Sequence, residues 1–410
     1  MNIKWYVLIL LILVASCSGK KKEEEDNGSG TLDTYVLVVS FDGFRWDYSD
    51  LYETPNFDDM ALQGVKADHL ISSFPTSTFP NHYTLATGLY PDHHGIINNS
   101  FYAPELGGIY RIGDTDMVTN PDAYFGEPIW VTAEKQGVKA ASYFWVGSEA
   151  DILGISPSFW YSYDGDIPYL SRVDQVIKWL KMPLSERPGL VLLYFDEPDG
   201  IAHKYGPEHQ ETGKVVNYVD SVLGYLRNEI ASLEYGELVN LIVLSDHGMA
   251  PFSSDKYVNL WEHIKEQWTI GVVGGNPVIL IQPEEGCADS ITTTLNAVEG
   301  VSAWQKADIP ERLHYGNSPR FPGIVVLADS LWSIGTRTDP PGYTGAHGYD
   351  NAFTDMNTIF YAEGPAFKEN YSAAPFSNVE VYGIITEILG LDPATTDGNI
   401  ENVADIFSEK

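Results

Sequence analysis

The chain reads as an α/β protein built on a parallel sheet. Two observations carry this: short continuous apolar runs alternate with helically periodic segments from Thr34 onward, and three of those runs end in an acidic residue. No repeat or low-complexity stretch interrupts the pattern. The run Tyr35–Ser40 opens the fold as a strand. Glu127–Gln136 reads as a helix closed by Gly137 and followed by a strand over Lys139–Trp145. Tyr169–Lys181 and Lys214–Leu233 carry apolar residues at helical spacing. Leu190–Phe195 and Leu238–Leu244, the latter broken only by Asn240, are short apolar runs of the kind that strands buried on both faces carry.

Between Val272 and Leu331 the order changes to strand, helix, strand, strand: NPVILIQP, the helix Ser290–Val298, VSAWQ and PGIVVLAD. We read this as a small α+β subdomain inserted at about 272–331 into a folded part spanning 34–406. Length alone also allows two domains. The motifs below fall on both sides of the insertion, which favours one.

The N-terminus predicts export. Lys4 precedes an apolar run from Trp5 to Ala15, too short for a comfortable membrane span and of signal-peptide proportions. Ala15 and Ser16 before Cys17 resemble the bacterial lipoprotein cleavage box, so residues 1–16 are expected to be removed and Cys17 to carry lipid; an uncleaved anchor is the alternative. Residues 17–33, charged and Gly/Ser-rich, read as a disordered tether. Their Lys/Glu run is similar to the acidic export signals of surface lipoproteins. The expected location is the periplasmic or cell-surface face of an outer membrane.

The full chain has 24 basic and 57 acidic residues. Losing Lys4 with the signal peptide leaves 23 against 57, a net charge of −34. Such a surface excludes a nucleic-acid polymer as a broad partner, but not a small anion, because bound cations reverse the potential locally. Only Cys287 remains after Cys17, so an internal disulfide and a cysteine zinc site are excluded.

The apolar runs deliver Asp42 in VLVVSFDG, Asp196 and Asp199 in LVLLYFDEPDGIAH, and Asp246 beside His247 in LIVLSDHG. Ligand sites of open α/β sheets lie at such strand ends. One aspartate there is ordinarily a turn or helix cap; three, two of them with histidine, are not explained by capping alone. Asp199 and His203, four apart, share one face of a helical turn. His347 in GAHGYDN is flanked by glycines that permit close backbone approach. Oxygen and imidazole donors without thiolate suit zinc better than manganese or iron. In FPTSTFPNHYTLATGLYP, Ser77 and Thr78 precede Pro80 as a helix cap would. The Thr78 hydroxyl would also sit at the helix's positive end, where phosphate binds.

FDGFRWDY, TFPNHYTLATGLYPDHHGI, DEPDGIAHKYGP, SDHGM and HGYDN, in this order, resemble the nucleotide pyrophosphatase/phosphodiesterase family of the alkaline phosphatase superfamily. The resemblance implies an alkaline phosphatase-like three-layer α/β/α sandwich with a mostly parallel sheet. It implies two Zn2+, one on Asp199, His203 and His347, the other among Asp42, Asp246, His247 and Thr78. Thr78 becomes the nucleophile of a two-step, in-line hydrolysis of nucleotide phosphodiester or pyrophosphate bonds. Asn99 and the backbone after Thr78 would hold a non-bridging oxygen, and Phe79 and Tyr163 would sandwich a nucleobase with Tyr194 nearby. Many relatives have lysine where this chain has Ser77, which leaves the preferred nucleotide open. The competing expectations are a hydrolase of phosphomonoesters, phosphonates or phospholipid head groups, and an inactive surface binding protein.

Overall fold

An eight-stranded sheet organises residues 34–409, the part of the chain that the computed structural model describes. The expected signal peptide and the whole of the 17–33 tether, with Cys17, lie outside the described residues. The strands lie in the order Tyr371–Ala373, Val65–Ala67, Phe360–Glu363, Val239–Leu244, Tyr35–Phe41, Leu190–Phe195, Ala140–Tyr143, Phe159–Tyr161. Phe360–Glu363 runs against both neighbours; all other pairings are parallel.

Both faces of the sheet are covered, which is why its central strands are apolar without alternation. Val36 and Val38 pack on one side with Tyr83, Trp130 and Ile384. Leu37 and Val39 pack on the other with Phe57, Val176 and Leu223. Three layers result. The register places Phe41 opposite Phe195 and Ser40 opposite Leu244, so the three central strands end level and their next residues share one edge.

Local boundaries depart from the sequence expectation for identifiable reasons. The strand expected over Lys139–Trp145 stops at Tyr143, because Phe144 adopts φ 73°, outside the extended region. The helix expected from Lys214 runs over Gln210–Ala231 and begins at a cap: the His209 ring accepts from the Glu211 N–H at 3.2 Å.

From Thr269 the chain forms a four-stranded antiparallel sheet in the order Thr269–Gly275, Val278–Pro283, Ile324–Ala328, Val301–Gln305, with the helix Ala288–Leu295. Its first strand was not expected: it is a half-exposed edge, and TIGVVGG has no sustained apolar run. A separate pairing of Ala250 with Ala346 carries His347 back beside Met249, three residues beyond Asp246. Among the described residues, no helix is long and apolar enough to cross a membrane.

Candidate metal and nucleophile site

Asp42, Asp199 and Asp246 meet at the shared strand edge. The Asp199 N–H donates to the Asp42 carbonyl at 3.0 Å, locking the two loops together. Gly43 makes this approach possible: at φ +68°, a Cβ there would stand 2.9 Å from the Asp199 Cβ. Gly345 does the same for His347, since a Cβ at that position would lie 2.3 Å from the Ala202 carbonyl. Six of the expected ligands thus occupy one site. His247 Nε2 lies 3.2 Å from both Asp42 Oδ1 and Asp246 Oδ2. His203 Nε2 and His347 Nε2 lie 3.4 and 3.7 Å from Asp199 Oδ1.

Two tight three-donor groups emerge, Asp42–Asp246–His247 and Asp199–His247–His347. His203 belongs to neither group but its Nε2 reaches Asp199 of the second at 3.4 Å.

The donor set fits divalent metal. Asp42 Oδ1, Asp199 Oδ1 and Asp246 Oδ2 are buried without a hydrogen-bond partner, an arrangement that costs free energy unless a cation supplies the missing interaction. Asp42 and Asp246 each have their other oxygen held: Tyr194 donates to Asp42 Oδ2 at 2.5 Å, and the Gly43 N–H and Ser245 hydroxyl donate to Asp246 Oδ1 at 3.2 Å. The imidazoles are oriented too. The Nδ1 atoms of His203, His247 and His347 donate to the carbonyls of Gly345, Gly248 and Thr76 at 2.7, 2.9 and 3.0 Å. A carbonyl only accepts, so Nδ1 carries the proton and Nε2 is left to ligate.

Proton affinities report how strongly this cluster attracts positive charge. Burial, then Asp246 and Asp199, push the Asp42 carboxyl up to about 7. Asp199 rises to about 7, chiefly by burial and against the pull of His247. Burial depresses His247, but Asp246, Asp42 and Asp199 together lift it to about 10. Against burial, His247 and His82 hold Asp246 below the usual carboxylate range. Dications would satisfy the same carboxylates.

Ser77, not Thr78, occupies the cap position of the helix Thr78–Thr87, and no side chain caps it. The Thr78 hydroxyl instead lies 3.1 Å from His247 Nε2, at the helix's positive end. Asn99 Oδ1 accepts from the Phe79 N–H at 3.0 Å. That backbone donor, expected to face a phosphate, is thus engaged by Asn99, whose remaining polar group is its amide nitrogen.

Thr78, Asp42 and Asp199 open into a cavity of about 420 Å³ that Phe79, Tyr163 and Tyr194 also line. Phe79 and Tyr163 make no ring contact with each other, whereas Tyr163 meets Phe144 at 5.2 Å and Tyr194 at 6.2 Å. Among the described residues no lysine or arginine lines the cavity, although Glu149 and Asp196 do.

Sequence reasoning missed His82 and Asn81. His82 is fully buried, its Nδ1 3.0 Å from the Thr78 carbonyl and 3.3 Å from Asp246 Oδ2, and its Nε2 2.9 Å from the Ser40 hydroxyl. Its place four residues after Thr78 was the available signal. Asn81 donates to the Pro75 and Ser77 carbonyls at 2.9 Å, fixing the turn before Thr78. Asp196, at the strand end but outside the metal cluster, pairs with buried Arg172 at 3.0 Å.

Residues 36–350 match the profile of the family described as type I phosphodiesterase / nucleotide pyrophosphatase. The chain is 35% identical to human ectonucleotide pyrophosphatase/phosphodiesterase family member 1 over 88% of its length, but spans 40% of that protein. It likewise spans 45% of a Crotalus durissus collilineatus venom phosphodiesterase, at 36% identity over 88% of this chain. Mouse family member 7 is matched at 36% identity over 89% of this chain and 85% of its own. Murine ectonucleotide pyrophosphatase / phosphodiesterase 5, solved as an inactive threonine-to-alanine variant with AMP, superposes with a TM-score of 0.87 at 33% identity. That match covers 92% of this chain and all of the other. The fold is alkaline phosphatase-like, and the chain belongs to the type I phosphodiesterase / nucleotide pyrophosphatase family.

Proposed function

We propose that the protein is an exported, metal-dependent hydrolase of nucleotide phosphodiester or pyrophosphate bonds with Thr78 as nucleophile. One observation carries the reading: the Thr78 hydroxyl stands at a helix N-terminus among three buried, unpartnered carboxylate oxygens, at a cavity with aromatic walls. That cavity has acidic lining groups and, among the described residues, no basic one, so an anionic substrate needs bound cations to enter. Two zinc ions, one with Asp199, His203 and His347 and one with Asp42, Asp246, His247 and Thr78, would supply Lewis-acid stabilisation of the attacking and leaving oxygens.

The chemistry is two displacements. Thr78 Oγ1 attacks phosphorus in line; the P–O bond to the leaving group breaks and a nucleotidyl-threonine ester forms. Water then attacks that ester, releasing the nucleotide and restoring the hydroxyl. Asn99, held through its carbonyl by Phe79, has its amide nitrogen to donate to a non-bridging oxygen. Phe79 and Tyr163 take the base between them, with Tyr194 at the rear. The murine relative's inactive threonine-to-alanine variant, solved with AMP, supports an essential threonine and a nucleotide ligand.

Residues 34–406 form the catalytic domain with the 272–331 insertion, held to a membrane by lipid on Cys17. The partner is a small nucleotide or diester. The lack of basic lining groups disfavours a phosphomonoester dianion.

Elemental analysis of the purified protein, combined with hydrolysis of an aryl diester, a dinucleotide and a monoester, tests this reading. Two metal equivalents with diester turnover far above monoester turnover are expected. Bound nucleotide without turnover on any of the three would instead identify an inactive binding protein.

A further inference from the structure

We propose that Tyr194 is a positioning residue for Asp42, fixing which carboxylate oxygen faces the metal cluster, rather than chiefly a wall for the nucleobase. The inference rests on the metal-dependent reading above and deepens it.

Tyr194 stands near the end of Leu190–Phe195, in register with Ser40 on the neighbouring strand, so its side chain lies beside the Asp42 loop. Its hydroxyl donates to Asp42 Oδ2 at 2.5 Å. A phenol has one proton to give, and this geometry commits it to that oxygen. The other oxygen, Oδ1, is buried without a hydrogen-bond partner and lies 3.2 Å from His247 Nε2. Asp246 has two donors on its held oxygen. Among the described residues, Tyr194 is the one donor on Asp42 Oδ2, and Asp42 is only 3% exposed, so water is poorly placed to take over.

The ring is itself held. His82 meets it edge-on at 5.1 Å, and His82 bonds both the Thr78 carbonyl and Ser40. One side chain therefore ties the strand carrying Asp42 to the helix carrying the nucleophile. Outer-shell donors of this kind orient metal ligands, and their loss lowers metal affinity by about 10–100-fold.

Tyr194→Phe in the full chain keeps the ring and removes only the donor. Zinc content is measured after dialysis against graded chelator, alongside turnover of a nucleotide diester and a base-free aryl diester, with and without added zinc. Positioning predicts a 10–100-fold weaker hold on one of two ions. It also predicts equal losses on both substrates, recovery of both with excess zinc, and an unchanged nucleotide KM once reloaded. Wild-type-like metal retention with a selectively raised nucleotide KM would overturn it and make Tyr194 a base wall. If the wild type holds no metal, the reading of the whole site falls, and this inference with it; a loaded wild type beside an unaffected variant overturns the positioning role alone.

Discussion

The two walls of the cavity are built on different terms. On the acidic wall Asp42 lines the cavity and is backed by Asp246 and His247; all three are at most 3% exposed, and the imidazoles of His203, His247 and His347 are each pinned by a backbone carbonyl. On the aromatic wall Tyr163 is 52% exposed. It is held by ring contacts with Phe144 and Tyr194 and by one bond, from its N–H to Glu149 Oε1 at 2.9 Å. The first wall is pre-organised before any ligand arrives; the second is held by fewer contacts and is open to solvent. Groups that must meet developing charge cannot afford reorganisation, whereas stacking tolerates it. Damage to the acidic wall should therefore affect every substrate alike, and damage to the aromatic wall should discriminate among them.

Thr78→Ala gives the largest expected effect. Diester turnover should fall by several orders of magnitude on nucleotide and aryl substrates together, with fold and metal retained, as when a nucleophile is lost but binding groups remain. Near-normal turnover would make the threonine a structural helix start only. Next comes His203→Ala, which removes a donor 3.4 Å from Asp199 Oδ1. Elemental analysis should find one of two ions depleted, since zinc left with fewer than three protein ligands binds weakly. Undiminished stoichiometry would mean that His203 is not a ligand.

On the aromatic wall, Tyr163→Ala should lower kcat/KM for a nucleotide by roughly one to two powers of ten, from about 1–3 kcal/mol of lost stacking. A base-free aryl diester should change much less; equal losses would erase the contrast between the walls. The smallest catalytic effect is expected at Phe144, which backs Tyr163 from a left-handed backbone. Phe144→Gly relieves about 1–3 kcal/mol of strain. It also removes a buried ring worth about 3–5 kcal/mol. The ring outweighs the strain at mid-range, so thermal unfolding should register a net loss of about 2 kcal/mol, and kcat/KM should fall severalfold for the nucleotide only.

The same contrast decides what the sequence could reveal. Asp42, Asp199 and Asp246 were legible because each stands within four residues of the end of a buried, mostly apolar strand, where the run gives way to charge. His347 was legible through its glycines. The hydrogen bonds that organise the site were not, because they cross from one element to another: Tyr194 to Asp42, His82 to the Thr78 carbonyl, the Phe79 N–H to Asn99. A tyrosine near a strand end looks like core until the register with the next strand is known. Phe144 was hidden for another reason, since nothing local in ASYFWVG marks the aromatic as the residue that leaves the extended region. The half-exposed edge strand Thr269–Gly275 likewise has no periodicity to read.

The central claim is that Thr78 becomes covalently linked to substrate phosphorus. Acid quenching of the wild-type enzyme during turnover of a nucleotide diester, followed by mass spectrometry of the peptide containing Thr78, tests it directly. The account predicts a nucleotidyl adduct on Thr78 that disappears when substrate is exhausted. Saturating turnover with no adduct on Thr78 at any quench time, or an adduct on a different residue, would contradict it.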